Sequence, residues 1–150
     1  PDLIATGKVD VAQVLEPVAA TAITEGRAHI WHRFANRGDI GYTSFYTTRT
    51  YLQDHLDSCK ILLSGIERAL EALAKELCVD IASELSDLFP DVPTPILATA
   101  IGGYQSSNLW PRQSDLTVAA VGRLKSALLA GGLISRDIPY ANVIARLEAS

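Results

Sequence analysis

The sequence predicts an α/β protein with a few strands in its first third and helices in the remainder. Residues 9–15 and 42–48 are two runs of strand length, rich in the β-branched, aliphatic and aromatic side chains that suit a pleated surface. Longer stretches with apolar residues at helical spacing follow them. Two or three strands leave the faces and edges of a sheet uncovered, so we expect further strands to come from a segment before residue 1.

The elements of the first third follow from turn and cap residues. Residues 9–15 are predicted as a buried strand, and Pro17 suits the first position of a helix over residues 19–25. Gly26 is a suitable helix stop. Residues 42–48 consist almost wholly of β-branched and aromatic residues and are predicted as the second strand.

The rest of the chain has helical patterns. Apolar side chains at alternating spacings of four and three predict one stripe of a long helix over residues 56–77: Cys59, Leu63, Ile66, Leu70, Leu73 and Leu77. Residues 79–88 form a second pattern, which ends at a proline-rich run.

Cap residues place three further helices. Thr94 is predicted as the N-cap of a helix that reaches Gln105, and Asp115 as the N-cap of a helix over residues 116–130. A short helix is predicted after Pro139.

Composition excludes several classes of function. The formal net charge is −4 and the 13 basic residues are scattered, so we predict no nucleic-acid partner. The apolar runs are shorter than the roughly 20 residues that span a bilayer. The chain begins without Met or a signal-peptide apolar segment, as expected for an excised or processed piece.

No pattern favours catalysis or metal binding. His29 and His32, three apart on an extended segment, point to opposite faces, and together with His55 they predict no metal site. Cys59 and Cys78 lack the spacing of a redox or zinc motif and are predicted as buried free thiols, with a disulfide as the alternative. We therefore predict a protein that is not an enzyme, with no catalytic residue and no cofactor.

Glu16 is the acidic residue placed best for binding. It ends the first predicted strand, and ligands of open α/β sheets collect at such strand ends; the alternative is a solvated carboxylate in a turn. Residues 42–46 offer rings and hydroxyl groups, with Phe45 expected in the core. Trp31 and Trp110 could stack on a ligand or pack in a partly buried position.

Short motifs along the chain resemble one known family. They are Gly7-Lys8-Val9-Asp10-Val11 with Leu15-Glu16-Pro17, Tyr42-Thr43-Ser44-Phe45-Tyr46-Thr47-Thr48-Arg49, Gly103-Tyr104-Gln105, Leu109-Trp110-Pro111 and Gly131-Gly132-Leu133-Ile134. In this order they resemble the C-terminal half of the NMT1/THI5-like (SsuA/ThiY-like) solute-binding proteins of ABC transporters, over nearly all 150 residues.

The resemblance implies a periplasmic-binding-protein type II fold with two α/β lobes that close on a ligand. It assigns residues 1–34 to the end of the second lobe, residues 35–41 to a hinge crossover and residues 42–150 to the helix-rich end of the first lobe. The remaining strands would then belong to a missing N-terminal half. The positions that match the cleft of the family are Glu16, Tyr42 and Thr43.

The same resemblance implies the substrate-binding component of an ABC importer. Its partners would be a small-molecule ligand, a membrane permease and the missing half, and its location periplasmic or extracellular, including a lipid-anchored form. Family ligands include nitrate, taurine and other sulfonates, riboflavin and the aminopyrimidine precursor of thiamine. A carboxylate at Glu16 repels anions and accepts hydrogen bonds from an amino-heterocycle, which favours the pyrimidine.

Three other interpretations stay open at this point. One is an enzyme, since fungal pyrimidine synthases share this fold, but the chain lacks a cysteine-rich cluster for iron-dependent chemistry. Another is the effector-binding domain of a transcriptional regulator, which an upstream helix-turn-helix would indicate. The third is a non-catalytic helical interaction domain, which would be a stable monomer with no exposed apolar edge.

Overall fold

The computed structural model describes residues 2–147, and the regular elements in this part of the chain are helices. There are eight α-helices and two 3₁₀ turns among these residues: α1 (Asp2–Ala5), α2 (Val18–Thr24), a 3₁₀ turn (Phe34–Arg37), α3 (Arg49–Asp54), α4 (Leu56–Lys75), α5 (Cys78–Leu85), a 3₁₀ turn (Ser86–Leu88), α6 (Thr94–Ser106), α7 (Val118–Ala130) and α8 (Tyr140–Val143).

The prediction of an α/β, periplasmic-binding-protein type II fold is wrong for this structure. Residues 2–147 contain no strand, and neither residues 9–15 nor residues 42–48 pair with another segment. Strand formation needs a second backbone to complete the hydrogen-bond ladder, and side-chain preference cannot supply one. Phe45, predicted in the core, is 73% exposed, and its neighbour Tyr46 is 96% exposed.

The chain divides into two compact units, and the first joins the described residues up to Asn36 with Glu71–Pro111. Its core lies where α5 packs against α6, and the buried apolar residues of this pair are Ile81, Ala82, Leu97, Ala98, Ala100 and Ile101. Helix α2 packs on α6 through the buried Ala20 and Ala22. The Gln105 amide on α6 donates to the carbonyl oxygens of Leu73 (2.9 Å) and Glu76 (3.0 Å).

The second unit joins Arg37–Leu70 with residues 112–147 of the described chain. Its buried apolar residues are Ala120 and Val121 at the start of α7, beside the buried Gly41, whose N–H donates to the Ala120 carbonyl at 3.2 Å. The Thr117 side chain caps α7 by accepting from the Ala120 N–H at 3.1 Å. In the same unit, the Tyr140 hydroxyl donates to the Leu116 carbonyl at 2.6 Å.

The helix predictions agree with the structure except at their ends. The long amphipathic helix is α4, but it stops at Lys75, and Leu77 is 66% exposed beyond it. Asp115 is not the N-cap of α7, because that helix begins later, after Thr117. Thr94 already lies inside α6. The helix predicted after Pro139 is α8.

Some predictions concern residues that the structure does not describe, or a longer protein. Pro1 and residues 148–150, which belong to the predicted ranges 1–34 and 42–150, lie outside the described residues. The lobe boundaries at residues 34 and 42 concern a longer protein and stay a prediction. No helix within residues 2–147 combines the length and apolar character needed to cross a membrane.

Candidate functional site

Glu16 lies just before α2 in the first unit, and its carboxylate caps the N-terminus of this helix. Its Oε2 accepts a hydrogen bond from the Ala20 N–H at 2.8 Å. The first N–H groups of a helix have no partner within the helix, so a carboxylate at this position stabilises the first turn. The carboxylate is half-buried. Glu16 is therefore a structural cap through one oxygen, and Oε1 is left for other contacts.

The backbone of Glu16 is attached to the core by two aromatic residues. The Glu16 N–H donates to the Tyr104 hydroxyl oxygen at 3.2 Å. The Tyr104 ring meets the Trp110 ring edge to face, with 5.3 Å between centroids, and Trp110 packs against the α5–α6 core. A rigid core thus fixes the position of Glu16 through side chains that have few rotamers.

Gly103 on α6 lies next to two opposite charges. A methyl group on its α-carbon would lie 3.6 Å from Arg33 Nη1 and 3.8 Å from Glu16 Oε1. These separations are ordinary van der Waals contacts, so the two charged groups approach one point from separate segments of the chain. We call the surface formed by Glu16 Oε1, Arg33 Nη1 and the Gly103 backbone the Gly103 cradle.

The charged atoms of the cradle can form further hydrogen bonds. Within residues 2–147, neither Glu16 Oε1 nor the Arg33 guanidinium has a hydrogen-bond or ion-pair partner. Glu16 and Arg33 are each half-buried as residues. A carboxylate accepts and a guanidinium donates, so a polar group at this surface can meet both kinds of partner.

The other two predicted binding residues lie elsewhere. Tyr42 and Thr43 belong to the second unit and are exposed, Tyr42 at 79%. The Tyr42 N–H donates to the nearby Ile40 carbonyl at 3.0 Å, which holds a tight turn. The cradle is built without these residues, and their role as ligand contacts stays a prediction. Trp31, also considered for stacking, is 84% exposed.

Sequence reasoning did not identify Arg33 or the role of Gly103. Arg33 is a single guanidinium within residues 29–34, which otherwise consist of apolar, aromatic and histidine side chains, and this isolated charge is the signal that could have identified it. The positive charge of Arg33 also changes the expected ligand, because Arg33 attracts the anions that Glu16 repels. At Gly102, one residue before, an added methyl group would lie 3.4 Å from the Cys78 sulfur, so a glycine there allows α5 and α6 to pack closely.

Within residues 2–147 there is neither a cluster of metal-ligating side chains nor a disulfide. Residues 2–147 contain no group of three or more His, Cys, Asp or Glu side chains that could hold a metal ion. Cys59 and Cys78 are free and half-buried, and they lie in different units. The cradle holds a carboxylate, a guanidinium and backbone groups, which can bind a polar ligand through hydrogen bonds and charge.

Comparison with known proteins gives a similarity to a protein of the binding class. No protein-family model matches the chain. No solved structure matches it either. The relative is the protein of Bacillus subtilis (strain 168) named "Putative binding protein YtlA", 23% identical over 141 residues, which are 93% of this chain and 42% of the relative.

The chain therefore spans less than half the length of the curated relative that it matches. The relative's name describes a binding protein and not an enzyme, which is consistent with the prediction of no catalysis. The NMT1/THI5-like family, inferred from the motifs, has no support from a family model.

Proposed function

We propose that this chain is part of a solute-binding protein of an ABC importer and that it holds a small molecule at the Gly103 cradle. One observation carries the proposal: Glu16 Oε1 and Arg33 Nη1 approach the same glycine from different segments. Ligand sites commonly consist of a few convergent polar groups on a fixed scaffold. The similarity over 93% of the chain to a protein named as a binding protein supports the same function.

The identity of the solute and the partners are part of this proposal. The resemblance suggests the thiamine-precursor pyrimidine, nitrate, taurine or another sulfonate as candidates. It also suggests a periplasmic or extracellular location, a permease as partner, and further ligand contacts from the rest of a protein of the relative's length. Tyr42 and Thr43 are proposed as contacts in that longer protein.

The helical interaction domain is the weaker alternative. Such a domain would be stable by itself without exposed apolar surface. Trp31, Tyr42 and Tyr46 are all largely exposed, which argues against it.

The test is binding of the candidate solutes to the full-length protein by isothermal titration calorimetry, with Gly103→Ala as the informative variant. The added methyl group contacts both charged atoms of the cradle. We expect affinity for the solute to fall about tenfold or more, because an extra carbon atom occupies space that the ligand needs. Helix stability should not fall, because Ala is favoured over Gly inside a helix by about 1 kcal/mol.

Gly122→Ala is the matched control. Gly122 lies inside α7, and a methyl group there would meet no atom within 4 Å. This variant should gain similar helix stability and bind the solute like the unmodified protein. The proposal is wrong if no candidate solute binds, or if Gly103→Ala binds as tightly as Gly122→Ala.

A further inference from the structure

The Gly103 cradle carries one negative and one positive group, so a complementary ligand would carry one charge of each sign. We infer that the ligand is a zwitterion with a short spacer, whose cationic group binds Glu16 Oε1 and whose anionic group binds Arg33. The inference rests on the proposed function. It goes further by naming the chemical class of the solute.

The two charges of the cradle do not form an ion pair with each other. Glu16 and Arg33 form no ion pair with each other or with any other group in residues 2–147, although both approach Gly103 within 4 Å of one point. Charge-assisted hydrogen bonds are the strong ones, so each group gains most from a ligand group of opposite charge. A zwitterion supplies both at once.

A ligand with a single charge would lie next to a group of the same charge in the cradle. An anion bound to Arg33 lies close to the Glu16 carboxylate, and a cation bound to Glu16 lies close to the Arg33 guanidinium. Like charges placed together lower affinity and provide selectivity against the wrong ligand. The cradle therefore discriminates against simple anions and simple cations by the same arrangement that favours a dipolar molecule.

Glu16 and Gly103 are both held in place. Glu16 is fixed through Oε2, which caps α2, and through its N–H, which bonds to Tyr104. Gly103 is part of α6, which packs on α5 and α2. These two groups need little rearrangement on binding, so the position of the ligand's cationic group is defined. Arg33 Nη1 lies near the same glycine, so the ligand's two charges should be a short distance apart.

The experiment compares three probes that share a three-carbon chain and differ in the charged groups it carries: 3-aminopropanoate, propanoate and propylamine. Binding to the full-length protein is measured by isothermal titration calorimetry at pH 7 and low salt. We expect 3-aminopropanoate to bind about tenfold or more tightly than either singly charged probe, because it makes two charge-assisted contacts instead of one.

Two variants assign the contacts. Arg33→Gln should reduce the affinity for 3-aminopropanoate to that of propylamine, and Glu16→Gln should reduce it to that of propanoate. Gln at position 16 keeps a side-chain oxygen that can accept from the Ala20 N–H, so the start of α2 is preserved. Arg68→Gln and Glu84→Gln, at exposed positions on α4 and α5, are the matched controls and should leave all three affinities unchanged.

The outcomes separate this inference from the proposed function. If nitrate or the pyrimidine binds, but neither 3-aminopropanoate nor taurine, which is also a zwitterion, binds better than propanoate and propylamine, the zwitterion inference is wrong and the binding function stands. If neither those solutes nor these probes bind, the proposed function fails, and the inference fails with it. Equal losses in Arg68→Gln and Arg33→Gln would also overturn the inference, because a general effect of charge would then explain them.

Discussion

The two units of the chain differ in how much apolar surface they remove from water. The first unit has a cluster of five buried residues where α5 meets α6, with Trp110 and Leu85 packed against it. The second unit buries Ala120 and Val121, and its exposed side chains include Phe45 and Tyr46. Hydrophobic burial is the dominant stabilising term in folding, so the first unit holds most of the chain's own stability. The Gly103 cradle belongs to this unit.

The largest effect is expected from truncation in the α5–α6 core. Leu97→Ala should lower the free energy of unfolding by about 2–5 kcal/mol, the usual range for a buried leucine. Val121→Ala in the second unit should cost less, about 1–2 kcal/mol for two methyl groups. Urea unfolding followed by circular dichroism measures both. A larger loss for Val121→Ala would reverse the comparison between the units.

A smaller effect is expected from enlarging a glycine at the helix contact. A side chain on Gly102 meets the Cys78 thiol, so Gly102→Leu should destabilise the protein by about 1–3 kcal/mol through overpacking. Gly122→Leu in α7 adds the same side chain where no atom lies within 4 Å, and it should be neutral or stabilising. Thermal unfolding of the two variants compares them directly. Similar melting temperatures would mean that α5 and α6 pack loosely.

The smallest effect is expected at the exposed end of α4. The Lys75 ammonium bonds to the Glu71 carboxylate four residues earlier and lowers the pKa of Glu71, first by this hydrogen bond and then by its charge. A lowered carboxyl pKa stabilises the folded state above the unfolded pKa, and the contribution is lost as the pH falls through the folded pKa. Both groups are exposed, so the contribution is small.

An NMR titration of the Glu71 side-chain carboxyl carbon tests this. Lys75→Ala should raise the pKa of Glu71 toward its usual range, and Lys60→Ala, on the same helix but eleven positions away, should not. If Lys75→Ala leaves the Glu71 titration unchanged, the ion pair does not form in solution.

The helices could be predicted because their signals are local. The stripe of apolar residues that identified α4 repeats within one segment, and Gly26, the predicted stop after α2, has a φ of +68°, which an L side chain rarely adopts. Helix ends were harder. Asp115 and Thr117 are both residue types that cap helices well, and in the structure Thr117 is the one that accepts from an N–H of α7.

The strands could not be predicted correctly because their stability is not local. Residues 42–48 have strong strand preference, yet a strand exists only with a partner, and no segment of residues 2–147 provides one. For the site, Glu16 could be singled out from its place before Pro17. Arg33 and Gly103 could not be joined to it, because they lie 17 and 87 positions further along the chain. Only the folded first unit brings them together.

The Gln105 amide has a consequence for the order in which the protein is made. It donates to the Leu73 and Glu76 carbonyl oxygens at the end of α4, the first of which lies 32 residues earlier. During synthesis on the ribosome, these carbonyls have no such donor until residue 105 has emerged and α6 has formed. The last turn of α4 therefore gains these two hydrogen bonds late, and until then water is the partner of its carbonyl oxygens.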